Sequence, residues 1–473
     1  MKKDQKTAEG IERIGTEIPN RKNLGGHEAI GRRPQGTTHP GNRVQQGEVT
    51  EERMKQKEVM ERVYEPGRLH EAWQQVKKNA GAAGIDKMPV EEFESRETEL
   101  LGIIHEKLKT GRYRFKPARR CLIPKEGTSK MRKLGIPAVM DRVASQSVNL
   151  VFEGIFDPGF AESSFAFRRG RSQHMAIRHV QEIVGEGYEW CASIDLKSFF
   201  DEIPHELILQ LVRRKIADEQ LLTLIARALK AGVIVEGRFE KTEKGCPQGS
   251  PLSPMLSNIV LNELDQELER RGLRYSRWAD DFVILLKSER AAQRVLKGVT
   301  SYLKEHLNLP INEEKSGVTV IKDVTFLGFQ ILAGKIRVSN KARTKFIRKI
   351  RELTRRNNPL SMYQLIQDLN SYMRGWIAYF RIQEFKYLFR DIDAWIRSRL
   401  RSVQLKKWKN PRKFQRYAIK AGLPSHQAHR IWVRMNKWQS TLRKEVRIVM
   451  DLDWFIKQGL ISLHDYTKAT LKT

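Results

Sequence analysis

The order of apolar and polar residues predicts strands around three aspartates. Segment 275–286 is rich in aromatic and branched side chains on both sides of the adjacent Asp280 and Asp281, a pattern typical of a tight hairpin with the carboxylates at its tip. A second strand-prone run, 190–194, leads directly into Asp195. Strands of this kind can meet carboxylate to carboxylate, so we expect the three side chains to share one site.

Outside these strands the apolar residues recur every three or four positions, which is the period of an amphipathic helix. Leu69, Ala72, Trp73 and Val76 follow this spacing. A hairpin is predicted between positions 113 and 137, because two weakly alternating runs flank a Gly-Thr-Ser turn. The predicted helices are 51–78, 100–108, 172–184, one that begins at Pro204, 255–270, 291–307 and most of the chain after 336.

Length and composition indicate a multidomain protein with a substantial core. The chain has 473 residues, of which 40% are hydrophobic, enough for roughly two to four domains. No apolar run reaches the roughly 20 residues of a membrane-spanning helix, and the polar N-terminus lacks the apolar segment of a signal peptide. We therefore expect a cytoplasmic protein without a membrane partner. The three cysteines are far apart and odd in number, which argues against a disulfide framework.

The net charge of +31 is concentrated near the C-terminus. Segment 336–473 holds 32 Lys and Arg against 9 Asp and Glu, and so carries +23 of the total. Tryptophans lie among these cations, an arrangement that suits phosphate contacts and packing on bases or sugars, although we expect at least half of them to be core residues. Nucleic acid is the predicted partner. An anionic membrane is less favoured, because no lipidation motif accompanies the charge.

The aspartates suggest metal-dependent chemistry. Taken alone, Asp280 and Asp281 are as typical of an ordinary solvated turn. Asp195 upstream favours a metal site, because crowded carboxylates repel one another unless a hard cation lies between them. Two Mg²⁺ ions roughly 4 Å apart activate an attacking oxygen and stabilise a leaving oxygen in phosphoryl transfer. The three aspartates therefore indicate polymerase chemistry.

Four other features suggest how a nucleotide or a template would bind. The predicted hairpin carries Lys125 and Arg132, which suit a triphosphate, although without other context surface solubility is the favoured explanation for cations in a chain this basic. Phe200 lies five residues beyond the first aspartate, where a bulky ring would exclude the 2′-hydroxyl of an incoming sugar. The Gly/Pro run 244–254 opens a helix and suits either a phosphate cradle or a plain rigid loop. Segment 165–172 mixes aromatic and arginine side chains, as a template-binding loop would.

With these segments in order, the chain resembles the reverse transcriptase and maturase proteins encoded by group II introns. Each block is weak by itself, and the ordered series is specific. Segment 373–380 also resembles the thumb, or maturase, domain of that family. The blocks that carry the resemblance are 79–86, Ile123-Pro124-Lys125, 132–137, 165–172, 195–201, Pro247-Gln248-Gly249, 278–281, Asn312 with Lys315, and Phe326-Leu327-Gly328.

The resemblance implies an α+β right-hand polymerase of fingers, palm and thumb, with an antiparallel palm sheet and a mainly helical basic C-terminal region. No Cys/His-rich nuclease module is recognised after this region, as in the family members that lack an endonuclease domain. The implied domains are a polar, disordered extension at 1–50, an N-terminal helical extension of the fingers at 51–115, reverse transcriptase fingers and palm at 116–335, a thumb or maturase domain at 336–410, and a basic helical DNA- or RNA-binding tail at 411–473.

The resemblance also implies roles for individual residues. Asp195 and Asp280 would bind two Mg²⁺ ions, Asp281 would complete the catalytic site, and the main-chain carbonyl of Leu196 would be a further metal ligand. The residues implied to bind nucleotide are Lys125 and Arg132 at the triphosphate, Phe200 as the steric gate, Gln248 against the nascent base pair, and Asn312 and Lys315 at the nucleotide and primer end.

These features predict an RNA-directed DNA polymerase that also binds its group II intron RNA and assists splicing and intron mobility. The expected partners are the intron RNA, an RNA template with a DNA primer, target DNA and dNTPs. The alternatives are an intron-independent reverse transcriptase used in DNA repair or defence, and an RNA-binding splicing factor with residual polymerase. Phe200 disfavours an RNA-dependent RNA polymerase, because such an enzyme must admit a 2′-hydroxyl. Trp278, Ala166 and Arg169 depart from the family pattern, which has tyrosine, glycine and proline at these positions.

Overall fold

The structure is a computed structural model. It describes residues 55–124, 131–385, 387–408, 411–433, 441 and 443–470. The extension predicted at 1–50 and the predicted triphosphate ligand Lys125 lie outside these residues. Helices alternate with short strands that form three sheets, so the predicted α+β fold class is confirmed.

The helices that were predicted individually lie close to the predicted positions, whereas Val139–Phe156 and Glu219–Leu229 were not predicted. The described part of the helix predicted at 51–78 is two helices, because Pro66 follows Glu65, whose ψ of 129° is outside the helical region. The helices are Val59–Tyr64, Pro66–Asn79, Val90–Ser95, Glu97–Lys109, Val139–Phe156, Gln173–Gly185, Phe199–Glu202, His205–Arg213, Glu219–Leu229, Ser253–Arg270, Glu289–Glu305, Asn340–Leu353, Met362–Phe380, Tyr387–Lys407, Pro411–Lys420, Ser425–Val433, Lys444–Val449, Leu452–Lys457 and Leu463–Thr470.

A four-stranded antiparallel sheet, which we term the palm sheet, carries the aspartates. Both faces of its central strands are covered, since alternate residues of one strand, Phe282 and Ile284 against Val283 and Leu285, belong to two different buried clusters. The strand order is β6-β7-β3-β8. These strands are β3 (Trp190–Asp195), β6 (Arg274–Trp278), β7 (Asp281–Leu286) and β8 (Gly317–Val320).

A second four-stranded sheet, which we term the fingers sheet, has the order β2-β1-β4-β5. The predicted hairpin is present as the antiparallel pair β1 (Ala118–Pro124) and β2 (Met131–Ile136). Strand β4 (Val233–Val235) pairs with β1 in parallel, and β5 (Arg238–Glu240) completes the edge. The fingers sheet therefore combines residues from before and after β3. A separate hairpin contains β9 (Phe329–Leu332) and β10 (Lys335–Val338).

Three clusters of buried apolar side chains support this arrangement. The first lies within residues 59–311 and includes the fully buried Trp73, and the second lies among the C-terminal helices at 346–463. The third joins the palm sheet to the start of the C-terminal helices through residues such as Phe329 and Phe380. Among the residues that the structure describes, no helix combines the length and the apolar character needed to cross a membrane.

The tryptophans of the basic region belong largely to the second cluster. Trp408 is buried, and Trp376, Trp395 and Trp454 are half-buried against the same core. The side chains of Trp432 and Trp438 lie outside the described part of the chain. In the described residues, these rings therefore contribute to packing more than to an open stacking surface.

Candidate active site

The catalytic candidates Asp195 and Asp281 are directly opposite each other in the neighbouring strands β3 and β7. Opposed residues of an antiparallel pair place their side chains on the same face of the sheet. Asp280 lies with Ala279 in the two-residue turn between β6 and β7, and Asp281 is already the first residue of β7. The turn is strained, because Ala279 has a φ of 55°, a conformation that costs an L-residue about 1–2 kcal/mol.

The electrostatics of this face reflect crowded negative charge. The pKa of Asp281 is raised to about 7, first because the surrounding protein displaces water from its carboxylate, and then because Asp280 and Asp195 are close. Asp281 nevertheless keeps accessible surface beside the cleft, so its carboxylate is within reach of a ligand. Crowding of like charges is the condition that a bound cation relieves.

A lysine ammonium already neutralises part of this charge. Lys315 Nζ lies 3.4 Å from Asp195 Oδ2, and both side chains are largely exposed. The Lys315 ammonium therefore lies where positive charge is favoured, although solvent exposure weakens its ion pair with Asp195. Within the described residues, no three His, Cys, Asp or Glu side chains converge as a preformed metal cluster.

The end of β3 is held by a turn that follows Ile311. The amide of Asn312 donates to the carbonyl of Asp195 at 2.8 Å, and the amide of Asp195 donates to Ser316 Oγ at 3.0 Å. The amide of Lys197 donates to the carbonyl of Pro310 at 2.9 Å, so this pairing does not use the carbonyl of Leu196. Ser316 was not predicted as a site residue. The only feature in the sequence that could have indicated it is its position next to Lys315.

A cleft of about 1360 Å³ brings most of the predicted site residues together. It is lined by both the palm sheet region and strand β2 of the fingers, and also by the loop after helix Pro66–Asn79. Asp281 adjoins the cleft through its pairing with Asp195, while Lys125 is outside the described residues. The predicted residues that line the cleft are Arg132, Asp195, Leu196, Phe200, Gln248, Asp280, Asn312 and Lys315.

A backbone contact positions the short helix of Phe200 against the loop that carries Gln248. The amide of Cys246 donates to the carbonyl of Phe200 at 2.7 Å. Gly245 permits this approach, because a Cβ there would lie 2.8 Å from the carbonyl oxygens of Phe200 and Asp201. The Gly/Pro run that opens helix Ser253–Arg270 is thus a close-packed loop behind the half-buried Phe200 ring.

The loop at 79–86 is fixed by arginine side chains. Arg142 donates through Nη1 to the carbonyl of Ala80 at 3.2 Å and also bonds the carbonyl of Ala82. Arg119 Nη2 donates to the carbonyl of Ala83 at 2.8 Å. Because Asn79, Ala80 and Arg142 line the cleft, these bonds hold the loop at its rim.

Segment 165–172 was predicted to bind a template, but its Arg168 makes contacts within the protein. Arg168 is largely buried, where it pairs with Asp157 at 2.6 Å and bonds the carbonyls of Ala161 and Ser164 at 2.7 and 2.9 Å. Most N–H donors of this guanidinium are therefore used within the protein, which leaves little capacity for contacts with a template. Phe167 differs, because it is 49% exposed and has a φ of 58°.

A residue that was not predicted lies beneath the aspartate turn. Arg277 is fully buried and forms an ion pair with the equally buried Asp265. It also donates to the carbonyl of Ala279, one residue before Asp280. The available signal was a cation between Ser276 and the aromatic Trp278, at the end of the strand that leads into the turn.

Comparisons with known proteins agree with this geometry. Residues 123–331 match the family described as reverse transcriptase (RNA-dependent DNA polymerase), and residues 343–420 match the group II intron, maturase-specific domain. Protein YkfC of Escherichia coli (strain K12) is 33% identical over 299 residues, which are 55% of this chain and 78% of YkfC.

Two further relatives are proteins of introns. Group II intron-encoded protein LtrA of Lactococcus lactis subsp. cremoris is 29% identical over 362 residues, which are 61% of this chain and 60% of LtrA. The putative COX1/OXI3 intron 1 protein of Saccharomyces cerevisiae is 28% identical over 288 residues, which are 49% of this chain and 34% of that protein. The chain thus spans less than two thirds of these two relatives.

The predicted family is confirmed by the match at 123–331 and by the extent of the similarity to YkfC. The antiparallel sheet that carries Asp195 and Asp281 lies inside the matched region. The second match begins in the basic helix Asn340–Leu353. The chain belongs to the reverse transcriptase family and carries a maturase-specific domain of the group II intron type.

Proposed function

We propose that the chain is an RNA-directed DNA polymerase that also binds a group II intron RNA and assists the splicing and mobility of that intron. Membership of the reverse transcriptase family supports the polymerase, and the maturase-specific match supports the RNA-binding role. The observation that carries the proposal is the register that sets Asp195 opposite Asp281, beside the cleft that contains Arg132, Phe200 and Gln248.

The donor set fits Mg²⁺, which prefers carboxylate and carbonyl oxygens. The residues that would hold the two ions are Asp195, Asp280, Asp281 and the carbonyl of Leu196. Charge crowding at Asp281 and the Lys315 ammonium beside Asp195 both support a demand for positive charge here. When bound, the two ions supply Lewis-acid assistance to the attacking and leaving oxygens of nucleotidyl transfer.

The nucleotide is assigned to the same cleft, with an RNA template, a DNA primer and dNTPs as its partners. A guanidinium binds phosphate in a bidentate manner, and a half-buried ring fills space that a 2′-hydroxyl would need. An amide side chain can contact the edge or sugar of the nascent pair. The assignments are Lys125 and Arg132 to the triphosphate, Phe200 to the sugar as steric gate, Gln248 to the nascent base pair, and Asn312 and Lys315 to the nucleotide and primer end.

RNA and target DNA are assigned to exposed cations of the C-terminal helices. Helix Asn340–Leu353 buries Phe346 and Ile350 and exposes Lys341 and Arg343. A basic face of this kind suits contacts with phosphate groups.

Some cations of the C-terminal region support its fold instead. Arg401 is buried and donates through Nε and Nη2 to the carbonyl of Met450 at 2.9 and 2.8 Å, and burial lowers its pKa to about 10. Lys407 Nζ donates to the carbonyl of Asn358 at 3.0 Å. The charge of +23 therefore overstates the number of phosphate contacts.

Primer extension tests the polymerase. Wild type and Asp280→Asn are compared on an RNA template with a DNA primer, dNTPs and Mg²⁺, with the exposed Asp453→Asn as the control. Extension by wild type and the control alone supports the proposal. Extension by Asp280→Asn would remove that carboxylate from the site. No extension by any of them, with tight RNA binding retained, would favour the splicing-factor alternative.

Binding of a folded group II intron RNA tests the maturase part. We expect it to bind more tightly than a scrambled RNA of equal length at the same salt concentration, because a specific site adds to the phosphate contacts. Equal affinity for the two RNAs would favour an intron-independent reverse transcriptase.

A further inference from the structure

Every N–H group of the Arg277 guanidinium has an acceptor. Nε lies 2.8 and 3.0 Å from the two carboxylate oxygens of Asp265, and Nη2 donates to Asp265 Oδ2 at 2.5 Å and to Ser164 Oγ at 2.7 Å. Nη1 donates to Asn258 Oδ1 and to the carbonyl of Ala279, both at 3.1 Å. All five donors are thus used, and the side chain has a single orientation.

These bonds join two other segments of the chain to the aspartate turn. Asp265 and Asn258 lie on helix Ser253–Arg270 behind the palm sheet. The backbone of Arg277 adds two bonds to the segment before helix Gln173–Gly185, because its amide donates to the carbonyl of Ser163 at 2.9 Å and its carbonyl accepts from the amide of Phe165 at 3.0 Å. Arg277 is therefore fixed from both its side chain and its main chain.

The bond to Ala279 acts on the peptide group that leads into Asp280. Ala279 has a φ of 55°, which a residue with a Cβ adopts only when its surroundings impose it. Orientation of the Ala279 carbonyl determines the orientation of that peptide group, and hence the direction in which the Asp280 side chain leaves the turn. A fixed guanidinium on this carbonyl supplies the required constraint.

We propose that Arg277 is a positioning residue for the carboxylates, and that it holds the turn in its strained conformation so that Asp280 is aligned with Asp195 before substrate binds. The proposal rests on the proposed polymerase function. Arg277 is not among the residues that line the cleft. Any effect of Arg277 on catalysis would therefore pass through the Ala279 peptide group.

Stability alone is a poor explanation for this charge pair. Replacing a buried ion pair by well-packed apolar residues is often neutral or stabilising, so a fully buried pair is not required for a stable core. An apolar side chain, however, cannot donate a hydrogen bond to the Ala279 carbonyl, and Asp265 would not fix its orientation. Alignment of the turn is the property that the guanidinium supplies.

The test compares Arg277→Lys with Arg401→Lys in the full chain. Lysine keeps the charge, but its compact ammonium has three donors in place of five and lacks the planar fork that reaches Asp265, Asn258 and Ala279 from fixed directions. Arg401 is the matched control, because it is a buried arginine that bonds the carbonyl of Met450 in the separate C-terminal core. Both variants are expected to lose stability to a similar degree, which thermal unfolding measures.

Only Arg277→Lys is expected to loosen the turn. We expect about tenfold faster deuterium exchange in the peptide covering 274–286, and about a hundredfold lower kcat for primer extension, with the KM for dNTP changed by no more than about twofold. Unchanged exchange and kcat in folded Arg277→Lys, or equal changes in Arg401→Lys, would overturn the proposal.

A milder variant covers the case in which Arg277→Lys does not fold. Ser164→Ala removes one acceptor of Nη2 and leaves the charge pair, so a smaller increase in exchange at 274–286 is expected. No increase in that variant would count against the proposal. If wild type extends no primer, the proposed polymerase function is wrong. Deuterium exchange at 274–286 in wild type and Arg277→Lys would still decide whether Arg277 orders the turn.

Discussion

Gly249 lies against the backbone of Gly135 so closely that a Cβ on Gly249 would be 2.1 Å from the Gly135 carbonyl oxygen. The amide of Gly135 in turn donates to the carbonyl of Gln248 at 2.7 Å. Two backbone contacts thus join the loop that carries Gln248 to strand β2, which carries Arg132. The spacing between these two cleft residues depends on a position that tolerates no side chain.

We expect Gly249→Ala to reduce kcat/KM for dNTP by at least about tenfold, because the clash and a φ of 121° force the loop away from β2. Primer extension at varied dNTP measures the effect. Gly237→Ala is the control, since Gly237 also has a positive φ, of 82°, but a Cβ there would meet nothing within 4 Å. Equal losses in the two variants would mean that backbone strain, and not the contact with Gly135, explains the effect.

Phe200→Ala should relax the choice of sugar. Removing the half-buried ring opens the part of the cleft assigned to the 2′ position, so we expect incorporation of rNTP relative to dNTP to rise by about tenfold or more. Single-nucleotide extension with each substrate measures the ratio. Phe200→Tyr keeps the ring and should stay near wild type. An unchanged ratio in Phe200→Ala would remove this residue from the role of steric gate.

Asp141 should make stability depend on pH. Its carboxylate is buried, accepts from the Tyr113 hydroxyl and from the amide of Lys116, both at 2.9 Å, and has its pKa raised to about 6, mainly by burial. Between its ordinary pKa and this value the folded state binds more protons than the unfolded state. The free energy of unfolding therefore falls as pH rises through this window, by about 3 kcal/mol in total.

Asp141→Asn should flatten this pH dependence, because an amide does not ionise. Urea unfolding between about pH 4 and pH 7 measures the free energy of unfolding for both proteins. The exposed Asp368→Asn is the control and should keep the wild-type slope. Parallel curves for wild type and Asp141→Asn would show that another group causes the dependence.

RNA affinity should fall steeply with salt, and less steeply once phosphate contacts are removed. Replacing both Lys341 and Arg343 with Gln should reduce the slope of log affinity against log salt by about 0.7 to 0.9 for each lost contact. The control replaces Arg294 and Lys297, which are exposed on helix Glu289–Glu305 of the palm, and should keep the wild-type slope. The same slope in wild type and in both double variants would mean that the RNA does not contact Lys341 and Arg343.

Local pattern was sufficient for strands β3 and β7, because both are rich in apolar residues and each has an aspartate at one end. The pattern predicted that the two strands meet at their carboxylates, and the register sets Asp195 opposite Asp281. The roles of the individual site residues stay predictions, although most of these residues line one cleft. Helix limits were also close, with an error at Pro66, whose effect on the preceding helix was underestimated.

Long-range pairing could not be predicted in the same way. Strands β4 and β5 are three residues each, too short for a periodic signal, and the parallel partner of β4 is more than 100 residues earlier in the chain. The buried charges were missed for a related reason. Arg277 looks like a surface cation until the acceptor Ser164, from a distant segment, is known. Arg168 looks the same until the fold of the preceding loop brings Asp157 and Ala161 to it.

The interleaving of the two sheets sets the order in which the site can form during synthesis. The ribosome releases the first two fingers strands, then the strand of Asp195, then the second pair of fingers strands, and only then the hairpin of Asp280 and Asp281. A nascent chain that stops before residue 280 thus has an unpaired β3 and only one of the three aspartates. The site is therefore completed late, after Asn312 and Lys315 have also been made, and products truncated before residue 280 lack two of its three aspartates.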